Sequence, residues 1–288
     1  MKQSKAILFL FMANIFWSFS FIPGAYLMRS ISSENLLFYR FALGAIVIFI
    51  ITHKQIFKSS QDDFKAGIIL GLCLLLAMFF QNLSFMYTTV SKSAFLANVS
   101  MVLVPFLAYF ISKSKITRSN IIGLVIAVVG IVILSYNPAN FKDINIGDGF
   151  ALISAVGFAL QIVLVNKYSQ NNNPYTVAFM ECGVIGIVGM GLSLISGFNF
   201  DKIDDLLSIS SILFLSVICS GVCYIIQAVV AKNIKEILIG IIIASQGVLA
   251  SCFDVIIYHT PITLQLIGGG LLLSIAIVYL VIKKEDKV

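Results

Sequence analysis

Residues 116–123 read Ile-Thr-Arg-Ser-Asn-Ile-Ile-Gly, and residues 262–269 read Ile-Thr-Leu-Gln-Leu-Ile-Gly-Gly. The shared Ile-Thr-x5-Gly pattern recurs after 146 residues, and each copy opens an apolar stretch. At the same spacing Gln81 falls on Gln227, Ala94 on Gly240, Ser100 on Gln246 and Ala108 on Asp254. Nearer the N-terminus the spacing is 141, which lays Trp17 on Phe158, Ser20 on Gln161 and Arg40 on Glu181. The change of five residues falls in one connection. The chain therefore reads as two diverged copies of one unit.

Each copy holds five apolar spans of about 18 to 23 residues, long enough for a hydrocarbon core of roughly 30 Å. They lie at roughly 6–27, 34–52, 66–86, 92–112 and 119–136 in the first copy. In the second they lie at 148–167, 174–196, 210–231, 237–257 and 263–282. Ser32-Ser33, Ser59-Ser60-Gln61, Asn137-Pro138 and Asn171-Asn172-Asn173-Pro174 punctuate the short connections as turns. The expected fold class is an all-α membrane protein of ten transmembrane helices, with repeats over 6–136 and 148–283. An odd number of crossings per copy inverts one copy relative to the other. Inverted repeats place a substrate site between halves that rock about it, which points to transport.

Composition agrees. Of 288 residues, 59% are hydrophobic and 11% charged, with mean hydropathy +1.02, against a charged share of about 25% in soluble domains. The net charge of +6 does not imply nucleic acid as a partner, because the basic residues sit in short connections and never gather on one face. They set orientation instead. With the N-terminus inside, fourteen Lys and Arg face the cytoplasm and four, Arg29, Lys92, Lys142 and Lys202, face outward. A multi-pass protein of the cytoplasmic membrane with both termini cytoplasmic follows. Lys2 and Lys5 precede an apolar run longer than a signal-peptide core, so it is read as the first span. Lys92 is expected to snorkel to the outer surface.

Cys73, Cys182, Cys219, Cys223 and Cys252 all fall inside spans without metal-ligand spacing and are read as packing residues. The glycines at 67 and 71, at 183, 186, 189 and 191, and at 268–270 are expected to let helices approach closely. A homodimer through the fifth or tenth span is the alternative use, and the oligomeric state stays open between monomer and homodimer.

Several stretches resemble the drug/metabolite transporter superfamily, and within it the EamA-type proteins built from two five-helix half-domains. They are Phe16-Trp17-Ser18-Phe19-Ser20-Phe21, Arg40-Phe41, Tyr224-x2-Gln227, the two Ile-Thr-x5-Gly stretches, and Gln81-x3-Phe85-x-Tyr87 running on through Thr88-Thr89-Val90-Ser91-Lys92-Ser93-Ala94-Phe95. The resemblance implies a central cavity lined by spans one, three, four, six, eight and nine, with spans two and seven peripheral. It implies secondary transport of a small metabolite, most often efflux. Departures occur where the family often carries Gly-Glu, here Lys113-Ser114 and Tyr258-His259, and where span nine often reads Glu-Pro, here Gln246-Gly247.

Polar side chains at membrane depth either tie helices together or line a path. Trp17, Asn98, Ser100, Gln161, Ser245 and Gln246 lie near mid-span, and Asn14, Gln81, Tyr224 and Gln227 nearer a surface. Trp17, Asn98, Gln161, Gln246, Gln81, Tyr224, Gln227 and Asn14 form the candidate substrate site. Amides donate and accept, and aromatic faces cover apolar surface or a cation, which suits a neutral or zwitterionic, amino-acid-like solute. Efflux of drugs or amphiphilic cations is the competing substrate class.

Three intramembrane charges, Arg40, Glu181 and Asp254, are candidates for gating or coupling. Asp254, at a depth similar to that of Arg40, pairs with it as an outer gate or snorkels to outer water. Glu181 takes a structural role, with Lys232 as a candidate partner, or serves as a proton relay. No cofactor or metal is expected. With only His53 and His259, no His-Glu-x-x-His and no phosphate-binding Gly-Lys motif, an intramembrane enzyme or an ATP pump is not indicated. A scaffold would usually show an extramembrane domain.

Overall fold

The computed structural model describes residues 1–88, 93, 96–135, 145–196, 203, 205–258 and 264–283. Among these every regular element is a helix. The first half holds α1 (Gln3–Leu27), α2 (Ser33–Ile56), α3 (Gln61–Tyr87), α4 (Ser100–Ser112) and α5 (Arg118–Ser135). The second holds α6 (Ile146–Asn171), α7 (Pro174–Ile195), α8 (Leu206–Leu213), a π-helical stretch π1 (Phe214–Val222), α9 (Cys223–Val230), α10 (Glu236–Ala244), α11 (Gln246–Tyr258) and α12 (Leu264–Lys283). The helices α1, α2, α3, α6 and α7 and the continuous run Leu206–Val230 are each long and apolar enough to cross a membrane. Shorter apolar helices cover Ser100–Ser112, Arg118–Ile133, Glu236–Ala250 and Ile267–Leu280.

Turn residues start the helices by satisfying amides that a helix leaves unpaired. Ser32 accepts from Asn35 N. Ser60 and Asp63 form a reciprocal capping box, and at the start of α6 Asp148 Oδ2 accepts from Asn145 N at 3.1 Å. Asp205 accepts from Ser208 N at 2.8 Å, which starts the eighth apolar run four residues before its expected boundary. The ninth run is divided at Ser245 into α10 and α11. The described helix of the fourth span begins at Ser100, and the expected position of Lys92 lies outside the described residues.

The packing repeats itself when each helix is replaced by its counterpart in the other copy. The pairs α2 with α7, α4 with α10, and α5 with α12 join counterparts directly. Contact of α3 with α6 is mirrored by contact of π1 and α9 with α1, and contact of α3 with α7 by contact of π1 with α2. The turn between α6 and α7 is the counterpart of that between α1 and α2, yet it sits beside the α2–α3 connection. There Asn173 N and Asn172 Nδ2 donate to Asp63 Oδ1 at 2.8 and 3.0 Å, and Asn173 Nδ2 donates to Gln55 O at 2.9 Å. At the other end Tyr26 Oη, at the close of α1, donates to Asp205 Oδ2 at 2.7 Å. The two copies therefore run in opposite senses.

Glycines allow the closest approaches. A Cβ on Gly157 of α6 would lie 2.7 Å from Ala77 N of α3, and one on Gly186 of α7 would lie 2.7 Å from Ala42 N of α2. In the glycine group at 268–270, Gly269 offers its carbonyl 3.0 Å from where a Cβ of Gly130 would stand, so this group packs within the chain, against α5. Large apolar side chains such as Ile46, Ile50, Ile187, Leu194, Leu271 and Val278 face outward, as a lipid-facing surface requires. Cys182, Cys219 and Cys223 are buried and Cys252 is exposed, all as free thiols.

Candidate functional site

Between the two halves lies a cavity of about 920 Å³, its open mouth included. Seven of the eight residues read from the sequence as substrate-binding line it: Trp17, Gln81, Asn98, Gln161, Tyr224, Gln227 and Gln246. Seven repeat-related pairs face the same space. They are Trp17 with Phe158, Ser20 with Gln161, Phe21 with Ile162, Met78 with Tyr224, Gln81 with Gln227, Ala97 with Ile243 and Ser100 with Gln246. The axis relating the copies thus passes through the cavity, and both copies build its centre.

The eighth residue, Asn14, does not line the cavity. It is fully buried, and its Nδ2 donates to Ile242 O at 2.8 Å and to Ser245 Oγ at 2.9 Å. These bonds fall where α10 gives way to α11, so Asn14 serves the backbone carbonyl at that break. In a bilayer such groups must be satisfied from within the protein.

The π-helical stretch fixes two cavity residues. Its wide turn carries Cys223 N back to Ile218 O, five residues earlier, while the Cys219 carbonyl accepts from Trp17 Nε1 at 2.9 Å. Ser220 Oγ, next along, accepts from Arg40 Nε at 3.1 Å. The Trp17 and Tyr224 rings stand 5.3 Å apart, tilted by 57°, and Phe41 closes on Tyr224 at 6.1 Å. Arg40 lays its guanidinium 5.2 Å from the centre of the Phe41 ring.

Arg40 corrects the expectation that span two is peripheral. Together with Leu36 it lines the cavity, and it supplies the one charge among the described lining residues. No carboxylate lies within ion-pair distance of it among the described residues. The side chain of Asp254 lies outside the described residues.

Glu181 also departs from expectation. It is fully buried, whereas Lys232 is exposed, so the two do not pair. Its Oε1 instead accepts from Gln161 Nε2 at 2.7 Å. Gln161 and Gln227 exchange amide bonds at 3.1 and 3.2 Å, joining α6 to α9. Gln161, the residue bonded to this carboxyl, lines the cavity. Interhelical bonds of this kind contribute about 0.6 kcal/mol each on average in membranes.

The mouth belongs to one copy. Gly24, Arg40, Phe85 and Asn98 are half-buried and line the cavity near the ends of α1 and α3 and the beginnings of α2 and α4. Their counterparts Val165, Glu181, Ala231 and Ala244 lie at the opposite end of the bundle, and all four are buried away from it. Among the described residues the half-buried part of the lining thus lies where α1 passes to α2, and the counterparts at the other end are buried. Beside the mouth, hydrogen bonds from Ser208 and Tyr26 hold the exposed Asp205 carboxyl below the usual carboxylate range.

Phe158, Phe21, Met78 and Ser20 line the cavity without having been assigned to it from the sequence. Phe158 and Met78 are the counterparts of Trp17 and Tyr224, and Ser20 is the counterpart of Gln161, so carrying each candidate across the repeat would have found these three, whereas Phe21 pairs with Ile162, which was not a candidate. Arg40 was read from the sequence as a gating candidate and as the counterpart of Glu181, and its place on the cavity wall comes from the packing of α2.

The EamA-like transporter family model matches residues 4–136 and 145–282. An uncharacterized transporter of Archaeoglobus fulgidus is 24% identical over 99% of this chain and 100% of its own length. The uncharacterized transporter YyaM of Bacillus subtilis is 26% identical over 67% of this chain and 66% of its own. A protein solved by crystallography shares the fold with a TM-score of 0.82 over the full length of both chains, at 15% identity.

Proposed function

The chain belongs to the EamA-like transporter family, and on that premise we propose that it is a secondary transporter of a small neutral or zwitterionic, amino-acid-like metabolite. It works by alternating access through ten membrane-spanning helices arranged as inverted repeats over 6–136 and 148–283, and its direction is export. The observation that carries this reading is the cavity on the repeat axis, built by seven counterpart pairs and lined at one end by half-buried residues whose described counterparts are buried. A site shared by two inverted halves can be offered to either side of a membrane as the halves exchange conformations.

Amides on Gln81, Asn98, Gln161, Gln227 and Gln246 supply donors and acceptors for a polar solute. Trp17, Tyr224 and several phenylalanines cover its apolar part. Arg40, which has no carboxylate partner among the described residues, supports a solute that bears a carboxylate over an amphiphilic cation, which it would repel. The distribution of Lys and Arg supports cytoplasmic termini in the cytoplasmic membrane, so the mouth faces outward.

A counterflow screen in proteoliposomes tests the reading, with pooled radiolabelled amino acids, nucleosides, sugars and amphiphilic cations. Accumulation of an amino acid is expected, with weakened saturation after Trp17→Ala, Gln161→Ala or Gln246→Ala. If these substitutions leave the kinetics of every transported solute unchanged, the site assignment is wrong. If only the cations accumulate, the substrate class is wrong.

A further inference from the structure

Conversion of an inverted-repeat transporter from one open state to the other exchanges the conformations of its two halves. Each cavity residue then moves into surroundings like those its counterpart has now. At the centre the exchange changes little, because both members of each pair already face the cavity. At the mouth it changes the sign of the charge. Arg40, on the cavity wall here, corresponds at a spacing of 141 to Glu181, which is sealed here behind Gln161.

We infer that in the state open at the opposite end Glu181 takes Arg40's place on the cavity wall, and there binds the cationic group of the solute. The inference rests on the transport reading and adds to it. A solute carrying both charges meets Arg40 with its carboxylate from one side and Glu181 with its ammonium group from the other.

The geometry here already prepares that exposure. Glu181 has no exposed surface, and among the described residues its Oε2 has no hydrogen-bond partner and its Oε1 is held by one amide, that of Gln161, whose side chain lines the cavity. A fully buried carboxyl with one idle oxygen is costly at membrane depth and marks a functional position. The described residues hold no group of three or more His, Cys, Asp or Glu that would make this a metal site. A single carboxyl with amide neighbours fits a single monovalent charge. Proton uptake from that side shares this chemistry and is separated from ammonium binding by the experiment.

Reconstituted protein is treated with a membrane-impermeant carbodiimide and an amine nucleophile from each side in turn, and modification of Glu181 is read by peptide mass spectrometry. Modification is expected only from the side opposite the mouth, slowed by lysine or glycine but not by acetate. Equal modification from both sides, or none from either, overturns the inference. Slowing by pH alone, with no protection by the amine-bearing solutes, assigns a proton and overturns the ammonium assignment.

In parallel, inhibition of counterflow by amino acids and by their deaminated analogues is compared from the two sides in wild type, Glu181→Gln and Glu181→Asp. Glu181→Gln is expected to weaken the amino acids at least ten-fold more from the far side than from the mouth side, with Glu181→Asp restoring most of the difference. Equal weakening from both sides overturns the inference. If wild type moves no amino acid, the transport reading fails for that class, and the labelling of the wild-type chain still decides where Glu181 opens.

Discussion

Replacing Asn14 with alanine is expected to weaken the fold while leaving the affinity for solute unchanged. The side chain is fully buried, and its amide holds Ile242 O and Ser245 Oγ at 2.8 and 2.9 Å, across the junction between α10 and α11. Interhelical hydrogen bonds in membranes average about 0.6 kcal/mol and reach about 1.7 kcal/mol, so the pair is worth roughly 1–3 kcal/mol. Ser245 Oγ also donates to Ile242 O at 2.6 Å, so that carbonyl keeps one partner after the substitution. Asn14 Oδ1 has no partner now, and its removal offsets part of the loss. The net cost is then about 1 kcal/mol, at the low end of that range. Asn14→Asp, which sets a buried carboxylate against the Ile242 carbonyl, is expected to cost more than Asn14→Ala. Unfolding by titration with sodium dodecyl sulfate in mixed micelles measures both, alongside saturation of counterflow. Unchanged stability of Asn14→Ala together with an altered KM would place Asn14 in the solute path and refute the structural role.

Three further outcomes are expected. Gly157→Ala should lower thermal stability clearly, because its Cβ would meet Ala77 N at 2.7 Å, while Gly183→Ala, with nothing within 4 Å, should be neutral or stabilising by up to about 1 kcal/mol, as alanine is in a helix; both are read by melting in detergent. Arg40→Gln should weaken solutes bearing a carboxylate at least ten-fold more than their amide analogues in counterflow, and equal effects on both would remove Arg40 from solute contact. The Asp205 carboxyl is depressed by Ser208 and Tyr26, so its stabilising effect is present above the unfolded value near 3.9 and is lost as pH falls through the lower folded value. The difference in melting temperature between wild type and Asp205→Ala should therefore hold steady from neutral pH to about 4 and close below it.

The cavity residues divide by what kind of physics placed them. Trp17, Gln161 and Gln246, near mid-span, and Gln227, nearer a surface, were legible because a polar or amphipathic side chain within an apolar span is costly without a partner. Asn14 met the same criterion and was misassigned. Depth distinguishes polar from apolar surroundings, but it does not say whether the partner is a solute or a backbone carbonyl at a helix break. That break at Ser245, and the π-helical turn that aims Cys219 O at Trp17, come from packing against neighbouring helices, which no local pattern records.

What the chain's order of residues determined by itself is the membrane setting, the two-copy organisation and the pairing of counterparts, all of which follow from span length, hydropathy and spacing. Tertiary structure alone decided which end of the cavity has half-buried walls, that Arg40 stands on its wall, and that Glu181 is buried with Gln161 bonded to it. Two copies related by a repeat have equivalent sequences of helices in either open state. The choice between those states is therefore a small difference in helix packing, summed over many contacts far apart in the chain.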